Sequence, residues 1–186
     1  MKRRDFISAI LTSGSLPTVL AVAGQTGLAG ETGLADETGH ATGQLGIAAF
    51  DVDVTPPLGT PLCHGNVRPA QRIVDPLSAR GLILLGQGEP IVLCTFDWTG
   101  IGNGAHDFCR DELAKAVGTS ADRVAVHVVH QHDAPGVDFS SEEIMASYGL
   151  GGNLCDAEVA REAILRVAKA AGECAGGAVP ITHLGR

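Results

Sequence analysis

The sequence predicts an α/β protein with a mixed β-sheet and flanking helices, and three observations support this class. Short apolar segments rich in Val, Ile and Leu alternate with longer segments of helical periodicity. Clusters of glycine and proline separate these segments. Two of the apolar segments are joined by only four residues, which is typical of an antiparallel hairpin. The alternation of strands and helices adds parallel pairing, so we expect a mixed sheet.

The first half of the folded part is predicted to be mainly β-structure. A strand over residues 46–54 ends at Thr55-Pro56-Pro57, because proline cannot donate to a β-ladder and restricts the residue before it. After a long loop, two strands over 77–85 and 90–96 are joined by Gly86-Gln87-Gly88-Glu89. This glycine turn predicts a β-hairpin.

Helices alternate with strands in the second half. Asn103 is expected to cap a helix through Val117, and Gly118 to end it. A strand containing His127 follows, and Asp156 then caps a second helix. The expected apolar faces are Phe108, Leu113, Ala116 and Val117 on the first helix, and Val159, Ala163, Leu165 or Ile164, Val167 and Ala170 on the second.

The end of the chain predicts a further strand. The second helix is expected to end at Gly172 or at Gly176-Gly177, and residues 178–184 have the pattern of a strand that is beginning. A strand that opens and stops at Arg186 has no obvious partner or cap. We therefore expect the chain to be an incomplete, N-terminal portion of a larger catalytic domain.

Residues 1–23 are predicted to be a twin-arginine signal peptide. Lys2-Arg3-Arg4-Asp5-Phe6 precedes a mild apolar stretch that ends in a small-x-small cleavage signature. That stretch is too short, and too interrupted by polar residues, glycine and proline, to be a stable transmembrane anchor. We expect a periplasmic or extracellular protein. Such signals accompany proteins exported already folded, often with a metal or cofactor inserted.

Residues 24–44 are predicted to be a flexible linker. They contain three copies of a six-residue repeat built on Thr-Gly, without aromatic or β-branched apolar residues, and cannot bury enough surface to offset the entropy of ordering. A replication-slippage product without function is the alternative interpretation. The folded domain is then predicted over 45–186, which is one domain's length.

Charge and cysteine content restrict the possible functions. The formal net charge is -8, with few basic residues, so we do not expect nucleic-acid binding. Small molecules or neutral lipids are the expected ligands. The five cysteines form no CxxC pair, which makes a thiolate zinc cluster or a thioredoxin-type motif a poor fit. Cys94, Cys109 and Cys174 lie in strand or helix patterns where buried free thiols are common.

The candidate chemistry is at His130-Gln131-His132, directly after the apolar segment 124–129. Residues two apart on a strand share a face, so the two imidazoles could converge on one metal ion while His127 faces the other side. Both could be ligands, or one a ligand and the other a proton handler. A catalytic zinc usually takes three protein ligands, so further ligands would have to come from elsewhere. Alternatively, these are polar loop residues at a strand end.

Three other polar residues have two interpretations each. Asp97 ends an apolar strand and could orient a ligand histidine by accepting its other N–H, or cap the following loop. His64, after a proline-rich loop, could lie at the mouth of a cleft or be a solvated loop residue. Arg80 is expected to form a structural ion pair with Asp75 or Asp97.

Four segments resemble neutral, non-lysosomal ceramidases and their bacterial relatives. Residues 53–62 resemble the D-I-T-P-P-x-G-x-P-L opening, and 75–84 resemble the D-P-L-Y-A-R-A-L-V-L segment. Residues 91–97 resemble the strand that ends in S-x-D, and 127–135 resemble the H-A-T-H-T-H-S-G-P metal motif. Together they cover residues 46–136 in the same order and at similar spacing.

The resemblance implies a zinc-dependent amidase that cleaves the N-acyl bond of ceramide or a related lipid amide. His130 would be a zinc ligand, and His132 would face the substrate as a hydrogen-bonding or proton-handling group. Zinc would polarise the amide carbonyl and activate a bound water, and an imidazole would protonate the leaving amine. Asp133 occupies the position where the family's motif has serine. It could cap the turn, bind the metal ion, or hydrogen-bond a residue that binds the metal ion.

The sequence leaves alternatives to this function. The family's other zinc ligands, a histidine, a glutamate and a tyrosine, lie downstream of the residues present, so we expect weak or absent activity for this length of chain. A non-catalytic exported binding module is the main alternative, and a different metal hydrolase on the same scaffold is another. Imidazole ligands also suit copper, iron and nickel.

Overall fold

The structure is a computed structural model that describes residues 44–183 and residue 185. The predicted signal peptide and the predicted linker lie outside the described residues, except for the exposed Gln44, two residues before the first strand. Among the residues that are described, no helix is long and apolar enough to cross a membrane.

The described chain contains seven strands and three α-helices. In chain order these are β1 (Gly46–Asp53), β2 (Ser78–Gly86), β3 (Gly88–Phe96), β4 (Gly100–Gly102), α1 (Asn103–Val117), β5 (Val124–Val128), β6 (Gly136–Asp138), α2 (Phe139–Ser147), α3 (Ala157–Ala175) and β7 (Val179–Pro180). Short 3₁₀ turns lie at Cys63–Gly65 and Ala121–Arg123. The α/β class predicted from the sequence is confirmed.

The main sheet is mixed, as predicted. Its strand order is β5-β3-β2-β1-β7, and only the β3–β5 pair is parallel. The predicted hairpin is confirmed, but its turn is tighter than expected, because Gln87 alone lies between β2 and β3. The predicted last strand forms as the short edge strand β7 on β1.

The start of α1 corrects one sequence prediction. Gly102 occupies the N-cap position, and Asn103 is the first helical residue, with a left-handed φ of 43°. The prediction that Asn103 caps the helix was therefore wrong, since its side chain instead donates to Asp138 at 2.6 Å. The predicted C-terminus is confirmed: Gly118 has the left-handed conformation (φ 76°) that ends many helices, and its N–H donates to the Ala114 carbonyl.

The helix α3 begins as predicted. The Asp156 carboxylate accepts the Val159 N–H at 3.1 Å, which is the N-cap contact, and the helix passes through Gly172 and ends at Gly176. Of the two residues left open for the apolar face, Ile164 is buried and Leu165 is exposed. On α1, by contrast, Ala116 is exposed and Cys109 and Ala114 are buried instead.

Both long helices pack on one face of the main sheet. Alternate strand residues such as Ile83 and Val92 are fully buried there against helix residues such as Leu113 and Ile164. The second, two-stranded sheet is formed by β4 and β6, which run parallel with Gly100 opposite Gly136. This small sheet extends the molecule at the end where β3 and β5 stop.

Candidate active site

The candidate site lies where the parallel strands β3 and β5 end, so the segments that follow them start at the same edge of the sheet. Main-chain hydrogen bonds continue past the strands. Val129 N–H donates to the Phe96 carbonyl and His130 N–H to the Trp98 carbonyl, both at 3.1 Å, and Thr99 N–H donates to the Pro135 carbonyl at 2.8 Å. The loop that carries the histidines is therefore fixed on the segment that follows β3.

Thr99 connects the two ends of this loop. Its hydroxyl oxygen lies 2.7 Å from the Gln131 carbonyl oxygen and 2.8 Å from the Ala134 carbonyl oxygen. A hydroxyl has a single proton, so the two carbonyls share it. Thr99 is 2% exposed, and water does not compete for these contacts. The hydroxyl thus holds the loop closed around His132.

His130 is oriented by a main-chain carbonyl. Its Nδ1 lies 2.7 Å from the Thr99 carbonyl oxygen. A carbonyl can only accept, so Nδ1 carries the proton of the contact, and a neutral imidazole then has its lone pair on Nε2. His130 also has a left-handed φ of 60°, which is uncommon for a residue other than glycine. The ring is held with Nε2 as the nitrogen available to a ligand.

His132 lies against His130, but not for the reason that the sequence suggested. β5 ends at Val128, so neither histidine is on a strand and the predicted shared strand face was wrong. The loop brings the rings together instead: their centroids are 5.1 Å apart and their planes are 87° to one another. His127 remains on the strand and contacts the Thr95 hydroxyl, with Nε2 3.0 Å from the oxygen.

Asp97 contacts the site through its main chain. Its carbonyl accepts the side-chain N–H of Gln131 at 2.9 Å. Its carboxylate instead accepts the Ser78 N–H at 3.0 Å and lies 3.3 Å from Arg80, which also pairs with Asp51 across the β1–β2 ladder. The N–H of His130, which was one possible partner of Asp97, thus goes to Thr99. The expected Arg80–Asp97 ion pair is present.

Asp133 lies at the exposed tip of the histidine loop. Its N–H donates to the Gln131 side-chain oxygen at 2.8 Å, which gives the loop a local turn. Gln131 therefore connects the tip of the loop to the segment after β3 through both ends of its amide. Gln131 thus has a structural role in the loop.

His64 approaches the same segments from the other side. Its ring lies against Gly100 and Gly136, such that a Cβ at Gly136 would be 2.4 Å from two ring atoms and one at Gly100 would be 2.8 Å from Nε2. The 3₁₀ turn that carries it is joined to the histidine loop, because Cys63 N–H donates to the Ala134 carbonyl at 2.8 Å. The sequence did not predict this close approach to two glycines.

Asp138, which the sequence analysis did not single out, joins three elements of the site region. It ends β6, caps α2 through Ser141 N–H at 3.0 Å, and accepts the Asn103 amide of α1. Burial raises the pKa of Asp138, but hydrogen bonds from Ser141, Asn103 and Ser140 outweigh burial and hold the pKa below its ordinary value. An acidic N-cap before Ser140-Ser141-Glu142 was a signal in the sequence that could have identified α2.

A cleft of about 570 Å³ lies beside the His64 turn. It is lined by Gly65 on one side and by Cys155, Asp156 and Glu158 on the other, and neither His130 nor His132 lines it. Glu142, buried at the cleft wall, accepts the Gly152 and Cys155 N–H groups. Burial is the main cause that raises the pKa of the Cys155 thiol. The cleft is therefore separate from the pair of imidazoles.

These residues supply only part of the ligand set of the zinc ion that the resemblance implies. His130 and His132 supply imidazole nitrogens, which are suitable zinc ligands. Within residues 44–183, however, no group of three or more His, Cys, Asp or Glu side chains is placed to hold a metal ion. The described residues therefore do not form a complete zinc site.

The fold is one found in ceramidases. Two solved structures match it: a ceramidase complexed with C2, at 19% sequence identity and a TM-score of 0.54, and the neutral ceramidase from Pseudomonas aeruginosa, at 20% identity and a TM-score of 0.55. Each match covers 74% of this chain and 22% of the other, so this chain spans less than a quarter of the length of those proteins. No protein-family model and no curated protein matches the chain. The expected resemblance is confirmed at the level of the fold.

Proposed function

We propose that the protein is an exported, ceramidase-like hydrolase that cleaves the amide of ceramide or a related lipid amide. The observation that supports this best is the His130–His132 pair, held by Thr99 at the sheet edge of a ceramidase-like fold. Hydrolysis adds water to the amide carbonyl carbon and breaks the C–N bond, so the amine must receive a proton as it leaves. The residues of this chain have to supply that proton transfer.

In this proposal the two imidazoles have different tasks. The proton of His130 is committed to the Thr99 carbonyl, so this residue offers only its Nε2 lone pair. His132, at the exposed side of the loop, can exchange a proton with the substrate and is assigned to the leaving amine. A zinc ion would need ligands beyond His130 and His132, and when bound it would polarise the amide carbonyl.

The experiment compares the wild type with His130→Ala and with a matched control, His127→Ala. Two quantities are measured for each: zinc bound per chain by mass spectrometry, and release of sphingoid base from a short-chain ceramide. We expect both to fall at least about tenfold in His130→Ala, since one lost ligand or hydrogen-bonded group costs about that much or more. His127→Ala, which loses only a contact with Thr95, should keep both.

Equal zinc and equal hydrolysis in wild type and His130→Ala would contradict the assignment of His130. A wild type that releases no sphingoid base would contradict the proposed activity for this chain, whether or not it binds zinc, since the described residues do not complete a zinc site. Export is tested separately, by replacing Arg3 and Arg4 with lysine. The protein should then be retained in the cytoplasm, and an unchanged distribution would contradict the twin-arginine assignment.

A further inference from the structure

We propose that His64 is a third imidazole of the candidate site, and that its ring nitrogens hydrogen-bond a polar group of the substrate beside the amide that is cleaved. The inference rests on the proposed function and adds a residue that binds the substrate. It is based on the backbone of the His64 turn, the slot that receives the ring and the free hydrogen-bonding capacity of the imidazole.

The backbone of the turn is unusual. Cys63, His64 and Gly65 have successive φ values of 49°, 54° and 75°, so two residues with side chains adopt the left-handed conformation in a row. This conformation is unfavourable for residues other than glycine and persists only where the surroundings impose it. Glycine adopts this conformation without strain, and histidine, like asparagine and aspartate, adopts it more often than most residues with side chains.

The surroundings that impose the turn lie on two sides of it. Cys63 N–H is bound by the Ala134 carbonyl, and Gly65 is so close to Asn153 that a Cβ would be 2.4 Å from that residue's carbonyl oxygen. Asn66 closes the turn with two hydrogen bonds to the Cys63 carbonyl, one from its main chain and one from its side chain. The turn therefore directs the ring of His64 in one direction.

The ring of His64 points into a slot formed by two glycines. Gly100 on β4 and Gly136 on β6 are opposite one another in the pairing register, and any larger residue at Gly136 would occupy the space of the imidazole. The ring is half-buried, and neither of its nitrogens hydrogen-bonds another described residue. A neutral imidazole has one donor and one acceptor, and neither is satisfied by a described residue, while Nε2 is the nitrogen that faces the two glycines.

The slot adjoins the residues that hold His130. Gly100 follows Thr99, whose carbonyl accepts the His130 N–H, and Gly136 follows Pro135, whose carbonyl accepts the Thr99 N–H. From these contacts and standard backbone dimensions, Nε2 of His64 lies within roughly 10 Å of Nδ1 of His130. This separation is no longer than the polar end of a lipid amide that carries hydroxyl groups beside its amide, which is why we assign His64 to such a group.

The test separates a binding role from a packing role. His64→Phe keeps a ring of similar shape in the slot and removes both nitrogens, whereas His64→Gln restores a donor and an acceptor. His106→Phe, on the outer part of α1, is the matched histidine control. Binding of N-acetylsphingosine in mixed micelles is followed by the fluorescence of Trp98, the only tryptophan, with empty micelles as the blank. Thermal melting verifies that each variant is folded.

We expect His64→Phe to bind the probe about tenfold more weakly than the wild type at an unchanged melting temperature, which is the effect of a lost hydrogen-bonding group. His64→Gln should recover most of the affinity, and His106→Phe should match the wild type. Gly136→Ala should weaken binding as much as His64→Phe, since it displaces the ring.

Equal affinity of His64→Phe and wild type would overturn the inference and leave the proposed function standing. Unfolding of His64→Phe, with His64→Gln folded and binding the probe as weakly as Gly136→Ala, would also overturn it, because the ring would then serve packing alone. A wild type that does not bind N-acetylsphingosine would overturn the proposed lipid-amide function, and the assignment of His64 with it.

Discussion

Thr99→Val tests whether one buried hydroxyl holds the histidine loop. Valine has the shape of threonine without the hydroxyl, so the substitution removes the proton that the Gln131 and Ala134 carbonyls share. Thr99 is 2% exposed, so its hydroxyl is shielded from water, whereas the Gln131 carbonyl that it binds is partly buried. The change should therefore affect both the stability of the fold and the geometry of the imidazoles.

The size of the stability loss depends on which hydrogen-bond donors each of the two carbonyls keeps. The Ala134 carbonyl still accepts the Cys63 N–H at 2.8 Å, so it keeps a partner. The Gln131 carbonyl keeps no donor among the described residues. One partly buried carbonyl without a donor predicts a loss of about 1–2 kcal/mol in the free energy of unfolding.

Urea unfolding followed by Trp98 fluorescence measures this loss, and the slope of the transition should not change. In NMR spectra the ring signals of His130 and His132 should shift. The control is Thr119→Val, whose hydroxyl donates to the Pro90 carbonyl at 2.7 Å away from the site. It should leave both rings unchanged. If Thr99→Val stays within about 0.5 kcal/mol of the wild type with unchanged ring signals, the hydroxyl does not hold the loop.

Three further predictions concern the core, the acid-sensitive cap and the thiols. Gly81→Ala should destabilise the fold by about 1–3 kcal/mol in urea unfolding, because a Cβ there would lie 2.0 Å from the Phe50 ring, and an unchanged midpoint would contradict this packing. The folded-state pKa of Asp138 is lower than its ordinary value of 3.8, so its carboxylate stabilises the fold at neutral pH and this contribution is lost as the pH falls through the folded-state pKa. The wild type should therefore lose more unfolding free energy than Asp138→Asn between about pH 5 and 2, and parallel curves would refute the assignment. Burial raises the pKa of the Cys94 thiol and raises that of Cys109 to about 12. Iodoacetamide at pH 8 should therefore label neither thiol before the protein unfolds, which mass spectrometry measures. Labelling as fast as in the denatured protein would show that both thiols are accessible.

Local signals in the sequence predicted most of the main sheet and the two long helices. The Gly86–Glu89 turn predicted the hairpin, Gly118 predicted the end of α1, and Asp156 predicted the start of α3, because each depends on backbone geometry within a few residues. Asn103 misled the prediction for a physical reason. It resembles an N-cap in sequence, but its amide is used by Asp138, 35 positions away.

The sequence by itself determined the α/β class, the mixed sheet and the two histidines, since strand and helix periodicity and short motifs are local properties of the chain. Only the tertiary structure decided how those histidines meet. β5 stops before His130, and the rings come together because the Thr99 hydroxyl and carbonyl, in the segment that follows β3, bind the loop. The position of His64 against Gly100 and Gly136 likewise could not be predicted from the sequence, because it depends on contacts between segments far apart in the chain.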